Sequence, residues 1–543
     1  MKILTATEMG AADRASVEAG VSVRELMHNA GSAVARFCLK HSAEDGFVVV
    51  LCGKGNNGGD GMVAAAELAD YGRNVRIALL GKAAEVKGDA ADALRLASKQ
   101  EGVEFIEVAD EAALHAALEG ATLILDAIVG TGFKPPLRGL AATARDLVAA
   151  MKTPVVAVDL PSGWNADSTE MRNGEAFRAD AVVTFAAPKL AHVFGHLTPA
   201  DTFGPVVVAP IGTPEEAIQS SANLFWAGSA KALAEQPRAV DGNKGRFGHA
   251  LILGGSFGKT GAPAMACMAA LRAGAGLVTA AVPREVVPMV AAAAPELMSL
   301  GLAQSGQGGL ALETLEAEPL AALLKGISVV GIGPGLGQEG STPDFVRGFV
   351  ERVTVPMVLD ADALNAIAGR SEWLKEVAAK PDAKGNRRTI VMTPHPGEMG
   401  RLVNMTVKEV EADRIGLARR FATEYGITLV LKGWRTLIAH PDGRIAVNTT
   451  GNPAMAKGGS GDVLTGIVSA MLAQYKDDVA QAVEAAVFLH GLAGDFATMA
   501  QDEHTVLATD TVAHLWEAFR SRIVDDDGFT WITAMAANGV PPR

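Results

Sequence analysis

FVVVLC (47–52), VRIALL (75–80), TLILDAIVG (122–130), PVVAVDLPSG (154–163) and DAVVTFAAP (180–188) are apolar at nearly every position, and helical patterns separate them. A strand that is hydrophobic on both faces is stable only where helices cover both sides of its sheet. These runs therefore predict parallel strands in βαβ units. The pattern weakens across PIGTPEEAIQSSANL (210–224), a predicted linker, and restarts with HALILGGS (249–256). GLVTAAVP (276–283), ISVVGIGPG (327–335), PMVLDADALN (356–365), RTIVMTPHPGE (388–398) and ITLVLKG (427–433) continue it. TLIAHPDGRIAVNT then reads as a hairpin turning at Asp442-Gly443.

A chain of 543 residues exceeds what one core accommodates. The expectation is two tandem α/β domains over residues 1–215 and 225–522, with 523–543 a loosely attached tail. Net charge is −13, with no long Lys/Arg block, so a nucleic-acid surface is not expected. Cys38, Cys52 and Cys267 show no metal spacing and read as reduced thiols. The start, MKILTATEMGAADR, interrupts its apolar run with Glu8 and Asp13, which argues against a signal peptide. No uncharged apolar stretch is long enough for a membrane span. A cytoplasmic, self-associating protein is the expectation.

In open parallel sheets, ligands bind beyond the C-terminal ends of the strands, so residues directly after each apolar run carry the candidate sites. GKGNNGGDG (53–61) follows a strand and opens a helix, where free amides and the helix dipole favour an anion. It matches neither the dinucleotide nor the P-loop fingerprint, and a purely structural turn would also explain it. Asp126 in LILDAIVGTGFKPPLRG, and Asp159 and Ser162 in AVDLPSG, fall at later strand ends. Two acids plus an Asn-rich loop suit a hard cation held by oxygen.

NNGGDG, DAIVGTG, VDLPSG and TFAAPK, in that order, resemble the NAD(P)H-hydrate epimerase domain, whose fold is a Rossmann-like three-layer α/β/α sandwich. The resemblance implies that Asn56, Asn57, Gly58, Gly59 and Asp60, with Gly130, Thr131, Gly132, Phe133, Lys134, Pro135 and Pro136, bind the hydrated dinucleotide. It implies potassium at Asn57, Asp126 and Ser162, and Asp159 against the substrate near the reacting carbon. Inversion of a carbon bearing a hydroxyl beside a ring nitrogen needs proton transfer. Asp159 is the first candidate for that acid/base role and Asp60 the second.

In the second half, GNPAMAKGGSGDVLTG (451–466) places Asp462 at the mouth of an apolar helix, behind Gly458, Gly459 and Gly461. A helix cap would explain the acid alone. Amides at that helix start could instead hold an anion while Asp462 deprotonates a neighbouring hydroxyl. GSFGKTGAP, GIGPGLG, TPHPGEM and VLKGWRT stand at other strand ends. Between its prolines His395 reads as a ligand contact, with capping the alternative. In DADALN, Asp360 and Asp362 could bear on magnesium or stabilise a loop.

KGGSGDVLTG with these motifs resembles the ribokinase-like α/β/α fold and, within it, the ADP-dependent NAD(P)H-hydrate dehydratases. The resemblance implies that Ala262, Gly335, His395 and Asp462 contact the hydrate. Lys432, Gly433, Trp434, Arg435, Thr436 and Gly461 would contact the adenine nucleotide, with magnesium and ADP required and Asp462 the catalytic base. The implied substrates are hydrated NADH and NADPH (NADHX and NADPHX). The alternative is a small-molecule kinase of the same fold carrying a non-catalytic N-terminal binding module.

Overall fold

The computed structural model describes residues 1–41, 46–198, 204–305 and 309–533. It divides the chain into two compact units, Met1–Leu224 with the segment from Arg522, and Phe225–Ser521.

The first unit carries β1 (Phe47–Cys52), β2 (Asn74–Leu80), β3 (Val103–Val108), β4 (Leu123–Ala127), β5 (Val155–Val158), β6 (Ala181–Phe185) and β7 (Val206–Ala209). They pair in parallel in the order β3-β2-β1-β4-β5-β6-β7. Strand alternation divides the core. Val48, Val50 and Cys52 pack with residues of helices Val23–His41 and Asn56–Asp70, while Val49 and Leu51 pack with residues of helices Glu111–Leu118 and Leu140–Ala150. That is why the strands read as unbroken apolar runs.

The second unit repeats the winding. Its strands are β8 (Leu224–Trp226, Phe225 onward), β9 (His249–Leu253), β10 (Leu277–Pro283), β11 (Met298–Leu302), β12 (Val329–Ile332), β13 (Met357–Leu359), β14 (Ile390–Met392), β15 (Thr428–Leu431), β16 (Leu437–Ala439) and β17 (Ile445–Val447). The order is β11-β10-β9-β12-β13-β14-β15-β16-β17-β8, parallel from β11 through β15. The hairpin forms as expected, with β16 antiparallel to β17 and Gly443 at φ 84° in its turn. In each unit the winding reverses beside the first parallel strand, between β1 and β4 and between β9 and β12. Such a reversal opens a crevice at the strand ends.

Three of the parallel strands lie outside the runs read from sequence. β3 and β11 are edge strands with exposed positions, Glu104 and Glu107 in one and Met298 and Leu300 in the other. The third, β7, is short. The linker reading of 210–224 also changes. Ser221 donates to Glu8, Ser220 Oγ to the Ile3 carbonyl at 2.9 Å, and the Ile3 amide to Leu224 O at 3.0 Å. This segment is fastened to the first unit.

The tail is corrected as well. After the second unit the chain returns as β18 (Thr530–Thr533), antiparallel to β7 at the edge of the first sheet. Phe529, Trp531 and Ile532 are buried, and Thr533 Oγ1 donates to Gly204 O at 2.9 Å. Residues 534–543 lie outside the described residues. All three cysteines are buried free thiols. Among the described residues no helix is long and apolar enough to cross a membrane.

Candidate active sites

At the β1/β4 crevice lies a cavity of about 930 Å³. One wall is polar: Asn56, Asn57 and Asp60 open the helix after β1, Gly130–Phe133 follow β4, and Asp159 follows β5. The facing wall is largely apolar and comes from Met9 and Val17 of helix Ala6–Glu18 and from Leu26, Met27 and Ala30 of helix Val23–His41. Asp13 and Arg14 add charge to it.

Asp159 adopts φ 66°, unusual for a residue other than glycine. Its Oδ2 accepts from Thr131 N at 2.8 Å and Thr131 Oγ1 at 2.5 Å. Its Oδ1 accepts from Thr184 Oγ1 and from Lys189 Nζ, both at 2.9 Å. Burial raises the carboxyl's pKa, but the ammonium of buried Lys189, then His192 and these donors, outweigh it and hold the pKa well below the usual range. Asp159 is thus a permanent anion whose oxygens are taken. Asp60 is the opposite. Burial, then Asp159 and Asp13, push it well above the ordinary value against the pull of Lys189. Asp13 is raised too, chiefly by burial.

Beneath this wall Asp126 is fully buried and accepts from Ser162 N at 2.7 Å and Ser162 Oγ at 2.6 Å. Burial raises its pKa to about 6, with Ser162 and Ile128 opposing. Asn57 Oδ1 and Nδ2 are buried without a hydrogen-bond partner. A Cβ on Gly130 would stand 2.9 Å from both Asn57 Oδ1 and Asp159 Oδ2. An orphaned amide oxygen, a buried carboxylate and a hydroxyl form an all-oxygen set that fits a weakly charged hard cation.

In the second unit the loops after β9 and β12 are laced together. Gly255 N donates to Pro334 O at 2.8 Å and Ser256 Oγ to Gly335 O at 2.8 Å. Gly335, at φ 66°, leaves no room for a Cβ, which would lie 3.1 Å from Ala262 Cβ. Deeper along the strand ends, Lys432 Nζ donates to Asp360 Oδ1 at 2.9 Å and stands 3.7 Å from Glu398. Thr465 Oγ1 donates to Asp360 Oδ2 at 2.8 Å. Helix Ser460–Gln474 starts here behind Gly459 at φ 98°, with no side-chain cap. Asp462, in its first turn, is half-buried; burial, then Asp360, lift its pKa to about 7 although Lys432 pulls the other way. Burial also disfavours the Lys432 charge, yet Asp360 and Glu398 prevail and raise its pKa. The capping explanation of Asp462 therefore fails, and a carboxyl poised near neutrality is suited to general-base work.

The NAD(P)H-hydrate dehydratase family matches residues 250–521, and the YjeF-related protein N-terminus family matches residues 23–191. A bifunctional NAD(P)H-hydrate repair enzyme from Moorella thermoacetica is 40% identical over 525 residues, covering 95% of this chain and 96% of its own. The chain belongs to the bifunctional NAD(P)H-hydrate repair enzyme family. The Escherichia coli K12 enzyme of the same name is 34% identical over 513 residues, at 93% and 91% coverage. Among solved structures, the ADP/ATP-dependent NAD(P)H-hydrate dehydratase from Bacillus subtilis, co-crystallised with ATP and Mg2+, is 31% identical. It covers 55% of this chain and 98% of its own, with a TM-score of 0.43. A ribokinase-like superfamily protein from Enterococcus faecalis V583 is 27% identical, at 55% and 96% coverage and a TM-score of 0.45.

Within that family frame, the residues singled out from sequence fall into groups. Asn56, Asn57, Asp60, Gly130, Thr131, Gly132, Phe133 and Asp159 line the cavity. Gly58 and Gly59 instead serve packing: a Cβ on Gly58 would stand 2.0 Å from Gly53 O, and one on Gly59 2.7 Å from Met27 Cε. Lys134, Pro135 and Pro136 are exposed on the outer part of their loop. His395 is the N-cap of helix Pro396–Val403, its Nδ1 accepting from Gly397 N at 3.0 Å. Arg435 is buried, with Nη1 donating to Thr449 O at 2.5 Å, so its guanidinium faces the protein. Asp362 accepts from Gly337 N at 2.8 Å and Asn365 from Arg401 Nε at 2.9 Å, which is the loop-stabilising role. Glu398 stands in the TPHPGEM motif beside His395, whereas Lys189, Thr184 and Thr465 carry no site reading in the sequence. The motif TFAAPK does end on Lys189, and a lysine closing an apolar strand motif was the available signal.

Proposed function

We propose that this chain repairs hydrated NADH and NADPH in two stages, the first unit interconverting the R and S hydrates and the second dehydrating the S hydrate with consumption of ADP. The observation that carries the second stage is Asp462, uncapped and lifted towards neutrality at a glycine-lined helix start beside Lys432. Hydroxide is a poor leaving group, with a conjugate acid of pKa ~15.7, whereas phosphate's is ~6. Asp462 takes the proton of the ring hydroxyl as its oxygen attacks the β-phosphoryl group of ADP, and the P–O bond to AMP breaks with AMP leaving. Amides of the first helical turn stabilise the charge on that group. The ester's carbon–oxygen bond then breaks as the ring nitrogen's lone pair moves in, inorganic phosphate leaves, and loss of a proton from the adjacent carbon restores the dihydronicotinamide. Magnesium carried on the nucleotide phosphates would supply further positive charge, and Asp360 is the carboxylate of this chain that would hold it.

In the first unit the cavity takes the nicotinamide end, with Asp159 holding Lys189 and Thr131 in place. Asn57, Asp126 and Ser162 are the residues that would hold potassium, which would add positive charge below the Gly130 loop. ADP, magnesium and hydrated NADH incubated with the chain should restore NADH absorbance and release one inorganic phosphate per NADH. A product that keeps its phosphate would identify a kinase instead.

Two variants test the site assignments. Asp159→Asn leaves buried Lys189 without a charged partner, a loss on the order of 3 kcal/mol. The expected outcome is a lower melting temperature for the first unit and no catalysed R/S interconversion, with S-hydrate dehydration retained. Unchanged interconversion would remove Asp159 from the site. Gly461→Val should weaken ADP binding, because its branched methyls would cover the amides of the first helical turn and its Cβ would crowd Lys432 Nζ at 3.3 Å. Calorimetric titration with ADP reads this directly, and an unaltered affinity would place the phosphates elsewhere.

A further inference from the structure

The epimerase cavity holds two carboxyls that its described architecture leaves unused. Asp13 projects from helix Ala6–Glu18 and Asp60 from helix Asn56–Asp70, and both line the same cavity. Among the described residues neither side chain has a hydrogen-bond or ion-pair partner, whereas all the accepting positions described for Asp159 are filled from Thr131, Thr184 and Lys189. Arg14, Glu18, Lys54 and Lys189 are the other charged groups on the wall. Lys54 is paired with Glu85 at 2.7 Å and Lys189 with Asp159; Lys189 pulls on both acids and Arg14 on Asp13, but burial outweighs them.

We propose that Asp13 and Asp60 act together as a carboxyl pair sharing one proton, which opens and recloses the hydrated ring, so that Asp13 is a catalytic residue of the first unit. This rests on reading that unit as an epimerase. The ionised member takes the proton of the ring hydroxyl while the protonated member gives its proton to the ring nitrogen. The bond between that nitrogen and the hydroxyl-bearing carbon breaks, its electron pair going to nitrogen, and the hydroxyl oxygen becomes an aldehyde carbonyl. Rotation about the neighbouring carbon–carbon bond presents the other face. Reclosure reverses both proton transfers and gives the other epimer. No water enters or leaves, and the pair ends with the single proton it began with. Both carboxyls line one cavity, burial disfavours the charge on each, and ionised Asp13 further disfavours ionisation of Asp60, which favours one proton between the two.

The test uses the full chain and the purified R hydrate of NADH, without ADP, following the S hydrate by chromatography after subtracting the uncatalysed rate. Asp13→Asn and Asp60→Asn should each slow inversion by roughly 10²-fold or more. The double variant should be no slower than the worse single one, because the pair works as a unit, and Asp13→Glu should recover part of the rate. In ¹⁸O-water the inverted product should keep its original oxygen. Parent-like rates in Asp13→Asn, multiplicative losses in the double variant, or one solvent oxygen gained per inversion would each overturn the pair. A parent chain that catalyses no inversion would instead overturn the epimerase reading.

Discussion

Asp462→Asn is expected to cut dehydration turnover by ~10²–10⁴-fold while ADP binding changes far less, because a base acts chiefly in the transition state. Asparagine keeps the shape of the side chain and its place in the first helical turn but cannot accept the proton. A cap would predict the reverse, a stability change of about 1 kcal/mol or less with turnover intact, since Asn caps about as well as Asp. The helix shows no side-chain cap to lose. The parent enzyme's pH profile makes the same claim from another side. The carboxyl must be ionised to act, and burial with Asp360 places its pKa at about 7. Turnover should therefore level off above pH 7 and fall by a factor approaching ten per unit below it. A profile flat down to pH 5 would assign the proton to another group.

What the sequence disclosed follows from which forces are local. Strands covered by helices on both faces must be apolar throughout, so β1, β4, β6, β9 and β13 were readable as runs. The edge strand β3 faces water on part of its surface, and Glu104 and Glu107 interrupt its pattern. That Asp126, Asp159, Gly335 and Lys432 stand at strand ends was readable because crossover connections bring those ends together. His395 was readable in a different sense: Pro396 at the first helical position and Glu398 at the third form a helix-start signature, and capping is the role the structure gives it. That Asp13 and Lys189 line the cavity was not readable. Nothing local to either shows that helix Ala6–Glu18 closes the cavity, or that the strand end after β6 turns an ammonium onto Asp159. Those are tertiary facts, set by how the helices pack on the sheet.

The segment after the second unit is the clearest such case, and it supports the other large expected effect. Gly, Asp and Ala in DDDGFTWITAMAANGV suggest a loose end, yet FTWIT places Phe529, Trp531 and Ile532 in the first unit. Phe529 meets Phe37 edge-on at 6.1 Å between ring centroids, and the Trp531 indole N–H donates to Asp525 Oδ2 at 3.0 Å. Without β18, β7 would present an open, apolar edge, a template for aggregation. Trp531→Ala should therefore cost the first unit ~4 kcal/mol, a melting shift of roughly 8–16 °C for a unit of this size. The second unit's transition should stay where it is. Cutting the chain near residue 220 is predicted to leave residues 1–224 aggregation-prone, and adding a peptide spanning 522–543 should restore solubility. A soluble 1–224 fragment that melts at the temperature of the first unit in the intact chain would show that β18 is dispensable.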